Sequence, residues 1–245
     1  MLFRSETEGT DFAVALKDAQ AKGYAEAIPT ADVEGLDAAR KIVILAAMAF
    51  GKRISPDRIH CEGITAITTD LVKLARRMGC AIKLIGHCAT VNGRILAMVS
   101  PRLVHESNPI AGVNDVFNGI LVKANMVGEV MFYGPGAGKL PTASAVVADM
   151  MDIMGNTPAN VKSPVWVDAT DDEIADFDDY ACRSLWVFDA DASATAKLEA
   201  TFGTLTNLTC ENGRVAFIGE AMTEKEARAK AETATYSLSA RIRVL

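Results

Sequence analysis

Gly23-Tyr24-Ala25-Glu26-Ala27-Ile28-Pro29-Thr30-Ala31-Asp32-Val33-Glu34-Gly35-Leu36-Asp37-Ala38-Ala39-Arg40-Lys41 places four carboxylates and one lysine in nineteen residues, directly ahead of the apolar run Ile42-Val43-Ile44-Leu45. The first half cannot be one continuous helix. Gly23, Pro29 and Gly35 interrupt it, and a residue ahead of proline avoids the helical region. From Leu36 onward nothing breaks a helix, and Ala38, Ala39, Arg40, Lys41, Leu45, Ala46 and Ala47 favour one, so a helix is expected over 36–50. Asp37 and Lys41 then share one helical face at the i, i+4 spacing of a direct carboxylate–ammonium contact. A lysine at the mouth of an apolar core, with carboxylates fixed nearby, can transfer protons or polarise a carbonyl. The plain alternative is a solvated loop followed by an ordinary salt-bridged helix start, because ion pairs are common without catalysis.

Working outward, Phe12, Ala13, Ala15, Leu16 and Ala19 give a helical period ending at Gly23. On the other side, 55–59 reads as a turn, 64–67 as a short strand or entry loop, and 68–78 as a helix stopped by Gly79. Strands are expected over 81–88 and 94–99, joined by the hairpin signal Asn92-Gly93, and again over 119–124 and 129–133. Gly134-Pro135-Gly136-Ala137-Gly138 leads into a helix of small apolar residues over 141–154. Such a turn either cradles phosphate with its free amides or is simply a tight strand-to-helix connection. The expected fold class is α+β, a mostly antiparallel sheet with helices on one face. Residues 1–154 form this first domain.

Residues 155–180 read as a linker. Pro158, Pro164 and the acidic run over 168–179 mark a boundary, with the run read as a solvated connector in preference to a metal site. Residues 181–245 then give strand, helix, strand, hairpin at Glu211-Asn212-Gly213, strand, helix and strand. Thr223 and Glu226 are placed to form a capping box on the second helix. This β-α-β-β-α-β order is that of a small ferredoxin-like domain.

Composition narrows the function classes. A chain of 245 residues, half of them hydrophobic, can bury one large core or two smaller ones. A net charge of −6 with interspersed signs argues against nucleic acid or a polybasic membrane surface as partner. The five cysteines and the three histidines (His60, His87, His105) show no ligand spacing, so no metal is expected. The cysteines read as reduced thiols of a cytoplasmic protein. The longest apolar stretch, 42–50, is too short to span a bilayer.

The opening stretch resembles the signature segment of homoserine dehydrogenase. The later segments Glu62-Gly63-Ile64 with Ile67 and Asp70, then 128–138, then 141–147, match in order and rough spacing across residues 9–152. The family reduces L-aspartate 4-semialdehyde to L-homoserine with NAD or NADP. By resemblance, Lys41 would be the proton donor and acceptor and Asp37 would orient it. Glu26 and Asp32 would hold the substrate's α-ammonium group. Gly23 would allow close backbone approach, and Gly134, Gly136 and Gly138 would meet the nicotinamide side of the cofactor. An antiparallel sheet with an apolar outer face commonly pairs across a twofold axis, so a homodimer is expected. The placement of 181–245 resembles that of the amino-acid-sensing ACT domain, with a structural or dimerising role as the alternative.

The glycine-rich fingerprint of a dinucleotide-binding domain is not found in the sequence. That half is therefore expected outside this polypeptide, supplied in cis or trans, with no turnover without it. The small residues of 141–154 would pack against it and leave an exposed apolar face here. Three departures stand out. Ile28 occupies a family aspartate position, Asn125-Met126 replaces Asp-Ala, and Asp189-Ala190-Asp191-Ala192-Ser193 lacks the proline and glycine usual in ACT domains. A non-catalytic amino-acid-binding or assembly module is the competing expectation.

Overall fold

A computed structural model describes Lys17, residues 30–156 and residues 166–245. Gly23, Glu26 and Ile28 lie outside the described residues, and the helix expected over 12–19 is described at Lys17 alone. From Thr30 the chain forms a short helix α1 (Thr30–Val33), helix α2 (Leu36–Phe50), strands β1 (Lys52–Arg53) and β2 (His60–Cys61), and helix α3 (Thr69–Arg77). A long hairpin β3 (Cys80–Val91) and β4 (Arg94–His105) follows. A second hairpin, β5 (Phe117–Ala124) and β6 (Gly128–Pro135), leads to helix α4 (Lys139–Gly155). Beyond residue 166 come β7 (Val167–Asp168), β8 (Ala181–Cys182), β9 (Ser184–Asp189), helix α5 (Thr195–Phe202), β10 (Thr206–Glu211), β11 (Arg214–Ile218), β12 (Met222–Thr223), helix α6 (Glu224–Thr233) and β13 (Ser237–Val244).

Local chemistry sets these bounds. α2 is flanked by Gly35 and Gly51, and it buries Ala39, Ile42, Val43, Ala46 and Ala47 along one stripe. Thr68 caps α3 by accepting from the Leu71 amide. Thr223 and Glu226 form the expected reciprocal capping box on α6. Asn92 and Gly93 both take positive φ, 51° and 78°, the geometry of a two-residue hairpin turn.

The sheet corrects the expectation of a mostly antiparallel arrangement. It is mixed and has seven strands, in the order β10-β11-β9-β13-β4-β2, with β3 on the other side of β4. β3 is antiparallel to β4, whereas β13 and β2 both run parallel to it. Parallel neighbours need long crossover connections, and both pairs have them: α3 and β3 separate β2 from β4, and the whole C-terminal unit separates β4 from β13. Residue alternation within a strand reports its faces but not its neighbours, so neither pairing was visible in the pattern.

The two faces of the sheet differ. Ile95, Ala97, Val99 and Leu103 of β4, with Ile82, Leu84 and Cys88 of β3, lie beneath α2 and α3. Leu96 and Met98 point the other way, against Ala175, Phe177 and Tyr180. In the C-terminal part, Leu185, Val187, Ala216, Ile218 and Ile242 share the α3 core. Trp186, Phe188, Val215 and Phe217 pack on the opposite face against Leu198 and Phe202 of α5 and Ala227 of α6. Helices thus cover both faces there. β10, β11, β9 and β13 are antiparallel neighbours in that spatial order, the arrangement of a split βαβ pair.

The acidic stretch 168–179 is packed down by cations. Arg53 pairs with Asp168 at 2.6 Å and Lys52 with Glu173 at 2.7 Å, while Arg58 and Arg228 pair with Asp171 and Asp178. By contrast α4 buries none of its side chains, and Leu140 and Met154 are 83% and 84% exposed. The apolar stripe of a helix is normally covered.

His87 of β3 faces the Tyr180 ring at 5.8 Å. Burial first, then the Arg102 guanidinium, pull its imidazole from 6.5 down to about 4. The unfolded chain therefore takes up this proton before the folded one does, and stability is lost as pH falls from about 6.5 to about 4. His87→Gln should flatten that part of the stability–pH curve, as read by urea unfolding at pH 7 and pH 4.5. An unchanged slope would show that other groups set it.

Candidate active site

A cleft of about 320 Å³ opens between α1, the free edge of β3 and the start of β5. Asp32, Ile64, Lys83, Ile110, Asn114 and Asn118 are among the residues lining it. Lys83 donates to the Val113 carbonyl at 2.9 Å and to Asn114 Oδ1 at 2.7 Å, pinning the 108–116 loop to β3. That loop is shaped by its own sequence. Asn108 Oδ1 accepts from the Ile110 amide, and Pro109 opens a single 3-10 turn (Pro109–Gly112).

The glycine-rich turn reaches the rim of this cleft. Gly136 donates to the Val116 carbonyl at 3.0 Å. A Cβ at Gly136 would run into the Asn118 amide group, so only glycine lets the turn lie this close. Gly134 faces open space, and Gly138 caps α4.

Asp37 and Lys41 form the expected ion pair, 2.7 Å apart on α2, with side chains 45% and 63% exposed. Neither is among the residues lining the cleft that holds Asp32. Of the residues singled out in the sequence, then, the structure brings together Asp32 with the neighbourhood of Gly136, and separately Asp37 with Lys41. Gly23 and Glu26 lie outside the described residues.

The polar cleft residues not singled out in advance are Lys83, Asn114, Asp115 and Asn118. Lys83 did leave a signal, a lone cation between Ile82 and Leu84 in an otherwise apolar strand. Asn114 and Asn118 left none beyond loop composition.

Behind the cleft the acidic segment rests on the backbone of 61–64. The Ile64 amide donates to the Val33 carbonyl at 2.8 Å, and the Glu62 amide donates to Val99 at 2.9 Å. Glu62 accepts from His60 at 2.6 Å and from Arg243 at 2.7 Å. Burial pushes the Glu62 carboxyl up, but these two donors outweigh it and hold it at about 2.

Among known proteins, residues 1–151 match the family model described as homoserine dehydrogenase. The homoserine dehydrogenase of Synechocystis sp. is 44% identical over 168 residues, which are 67% of this chain and 39% of that protein. The crystal structure of a homoserine dehydrogenase from Thiobacillus denitrificans superposes on all of this chain and 61% of its own, with a TM-score of 0.84 and 31% identity. A hyperthermophilic archaeal homoserine dehydrogenase in complex with NADPH matches 66% of this chain and 45% of its own, with a TM-score of 0.51 and 27% identity. The chain thus spans about two fifths of the length of the curated relative it matches.

Proposed function

The chain belongs to the homoserine dehydrogenase family, and from that premise we propose that it carries the substrate-binding and proton-transferring part of an NAD- or NADP-dependent enzyme interconverting L-homoserine and L-aspartate 4-semialdehyde. The observation that carries the reading is the Asp37–Lys41 contact at 2.7 Å within the matched segment. When bound, the nicotinamide supplies or accepts the hydride at the substrate's terminal carbon. Gly134, Gly136 and Gly138 would meet it, and the close packing of Gly136 on Asn118 supports a turn shaped for approach. Lys41 gives its proton to the alkoxide oxygen that forms from the aldehyde, and removes that proton from homoserine in reverse. Asp37 orients the ammonium. Asp32 holds the substrate's α-ammonium in the cleft, and the resemblance assigns Glu26 the same role.

The proposal extends to a catalytic part over 1–154, a connector over 155–180 and an ACT-like unit over 181–245. It includes a nucleotide-binding part in cis or trans and a homodimer in the cytoplasm. The bare apolar surface of α4 supports a covering partner, as do Phe132 and Met126 of the second hairpin, 62% and 92% exposed. Among the described residues no helix is long and apolar enough to cross a membrane.

The test is NADP-dependent homoserine oxidation by the chain alone and by the chain joined to an upstream nucleotide-binding segment. Turnover is expected in the joined protein only. Equal rates in both, or none in either, would overturn the reading. A second reading, a binding or assembly module without turnover, is favoured by one observation: Lys41 lies outside the cleft that Asp32 lines. Homoserine binding without turnover in the joined protein would select it.

A further inference from the structure

We propose that Glu62 is a positioning residue: its carboxylate, clamped between His60 and Arg243 of β13, holds the backbone of 62–64 against α1 and so fixes Asp32 at the cleft. This deepens the dehydrogenase reading and rests on it for what Asp32 binds. The geometry of the clamp does not.

The chain of contacts is short and made of backbone at the critical step. Arg243 gives Nε and one terminal nitrogen to Glu224, at 2.8 and 2.9 Å, and its other terminal nitrogen to Glu62 at 2.7 Å. The Phe177 ring covers the guanidinium, 5.1 Å from its centroid, and stacks on His60 at 3.6 Å. Glu62 is thereby gripped from two sides by groups that are themselves packed. One residue later, Gly63 leaves no room for a side chain. A Cβ there would strike the Val33 carbonyl oxygen and come within 2.6 Å of Glu34 Cα. Together with the bond from the Ile64 amide to the Val33 carbonyl, this makes 62–64 the floor on which 32–35 rests.

The burden falls on α1 and not on α2. α2 is fixed by five buried side chains, three of them (Ala39, Ile42 and Val43) in the core it shares with β4. α1 has four residues and buries only Val33. A segment with so little apolar anchorage is ordered by the surface it lies on. Asp32 therefore depends on the clamp, while Asp37 and Lys41 do not.

Two readouts test this. Hydrogen exchange of this chain, with Glu62→Gln and His60→Phe, which keeps the stack on Phe177 but removes the donor, reports on 30–35 and 64 without any need for turnover. Exchange there is expected to rise about ten-fold in both variants, with no further rise in the double variant and with β9 and β11 unchanged. No change over 30–35, or an equal rise across β9 and β11, overturns the proposal. In the protein joined to its nucleotide-binding part, Glu62→Gln should raise the homoserine KM about ten-fold while kcat stays within about three-fold, the signature of lost uniform binding. A fall in kcat at unchanged KM overturns it. If the unsubstituted joined protein does not oxidise homoserine, the dehydrogenase reading falls, and hydrogen exchange still decides the clamp.

Discussion

Lys41→Ala is expected to lower kcat for homoserine oxidation by a factor of about 10²–10⁴ in the protein joined to its nucleotide-binding part, the usual value of general acid–base assistance. The substitution isolates chemistry from folding. Lys41 is 63% exposed and lies on the face of α2 opposite Ala39, Ile42, Val43, Ala46 and Ala47, which anchor the helix. Alanine is the best helix former, and an exposed i, i+4 pair contributes only about 0.3–0.5 kcal/mol, so stability should barely move. Lys41→Arg refines the result. Arginine keeps the positive charge but does not release its proton near neutral pH, so it should be nearly as impaired if proton transfer matters, and largely active if charge alone does. Turnover within about three-fold of the parent for Lys41→Ala would take Lys41 out of the mechanism.

The helix carrying Lys41 was legible because its evidence is local. Gly35 and Gly51 flank it, and apolar residues recur at helical spacing between them. The hairpin turn at Asn92-Gly93 and the capping box at Thr223 and Glu226 were legible for the same reason. The parts that were missed depend on residues far apart in sequence. β13 meets β4 through pairs such as Arg243 with Arg102, and no pattern within either strand announces the other. The acidic run over 168–179 looked like a free connector because its counter-charges, Lys52, Arg53, Arg58 and Arg228, lie on elements distant in sequence. In the sequence Glu62 stands out only as part of a matching string. Its importance comes from Arg243, which reaches it from the opposite end of the chain. Lys83 was a partial signal, since a single cation in an apolar strand marks a place but not its partners.

Glu224→Gln should be the most destabilising single substitution in the C-terminal part, by about 3–5 kcal/mol, because it removes one side of a buried ion-pair cluster. Glu224 is 2% exposed at the first turn of α6. It accepts from Arg241 at 2.8 and 2.9 Å and from Arg243 at 2.8 and 2.9 Å. Each carboxylate oxygen accepts from both arginines, so a glutamine would keep one bond to each guanidinium but turn its N–H group toward a second donor of both, leaving cationic charge without compensation in a site closed by Trp186 and Phe177. Urea unfolding should show a lower midpoint at unchanged m-value. Glu226→Gln, two residues on, is the control. That carboxylate is exposed and a glutamine can keep the capping box, so the unfolding midpoint should barely move. A loss below about 1 kcal/mol for Glu224→Gln would mean that water reaches the guanidiniums once the carboxylate is gone. The cluster stands at a narrow seam of the sheet, where β13 and β4 share two registered pairs, Arg243 with Arg102 and Val244 with Leu103. So short a ladder cannot hold two halves of a sheet together by backbone bonds alone. A pair of arginines on β13, locked to a helix by Glu224 and to the 62–64 segment by Glu62, supplies the directional contacts that the ladder lacks.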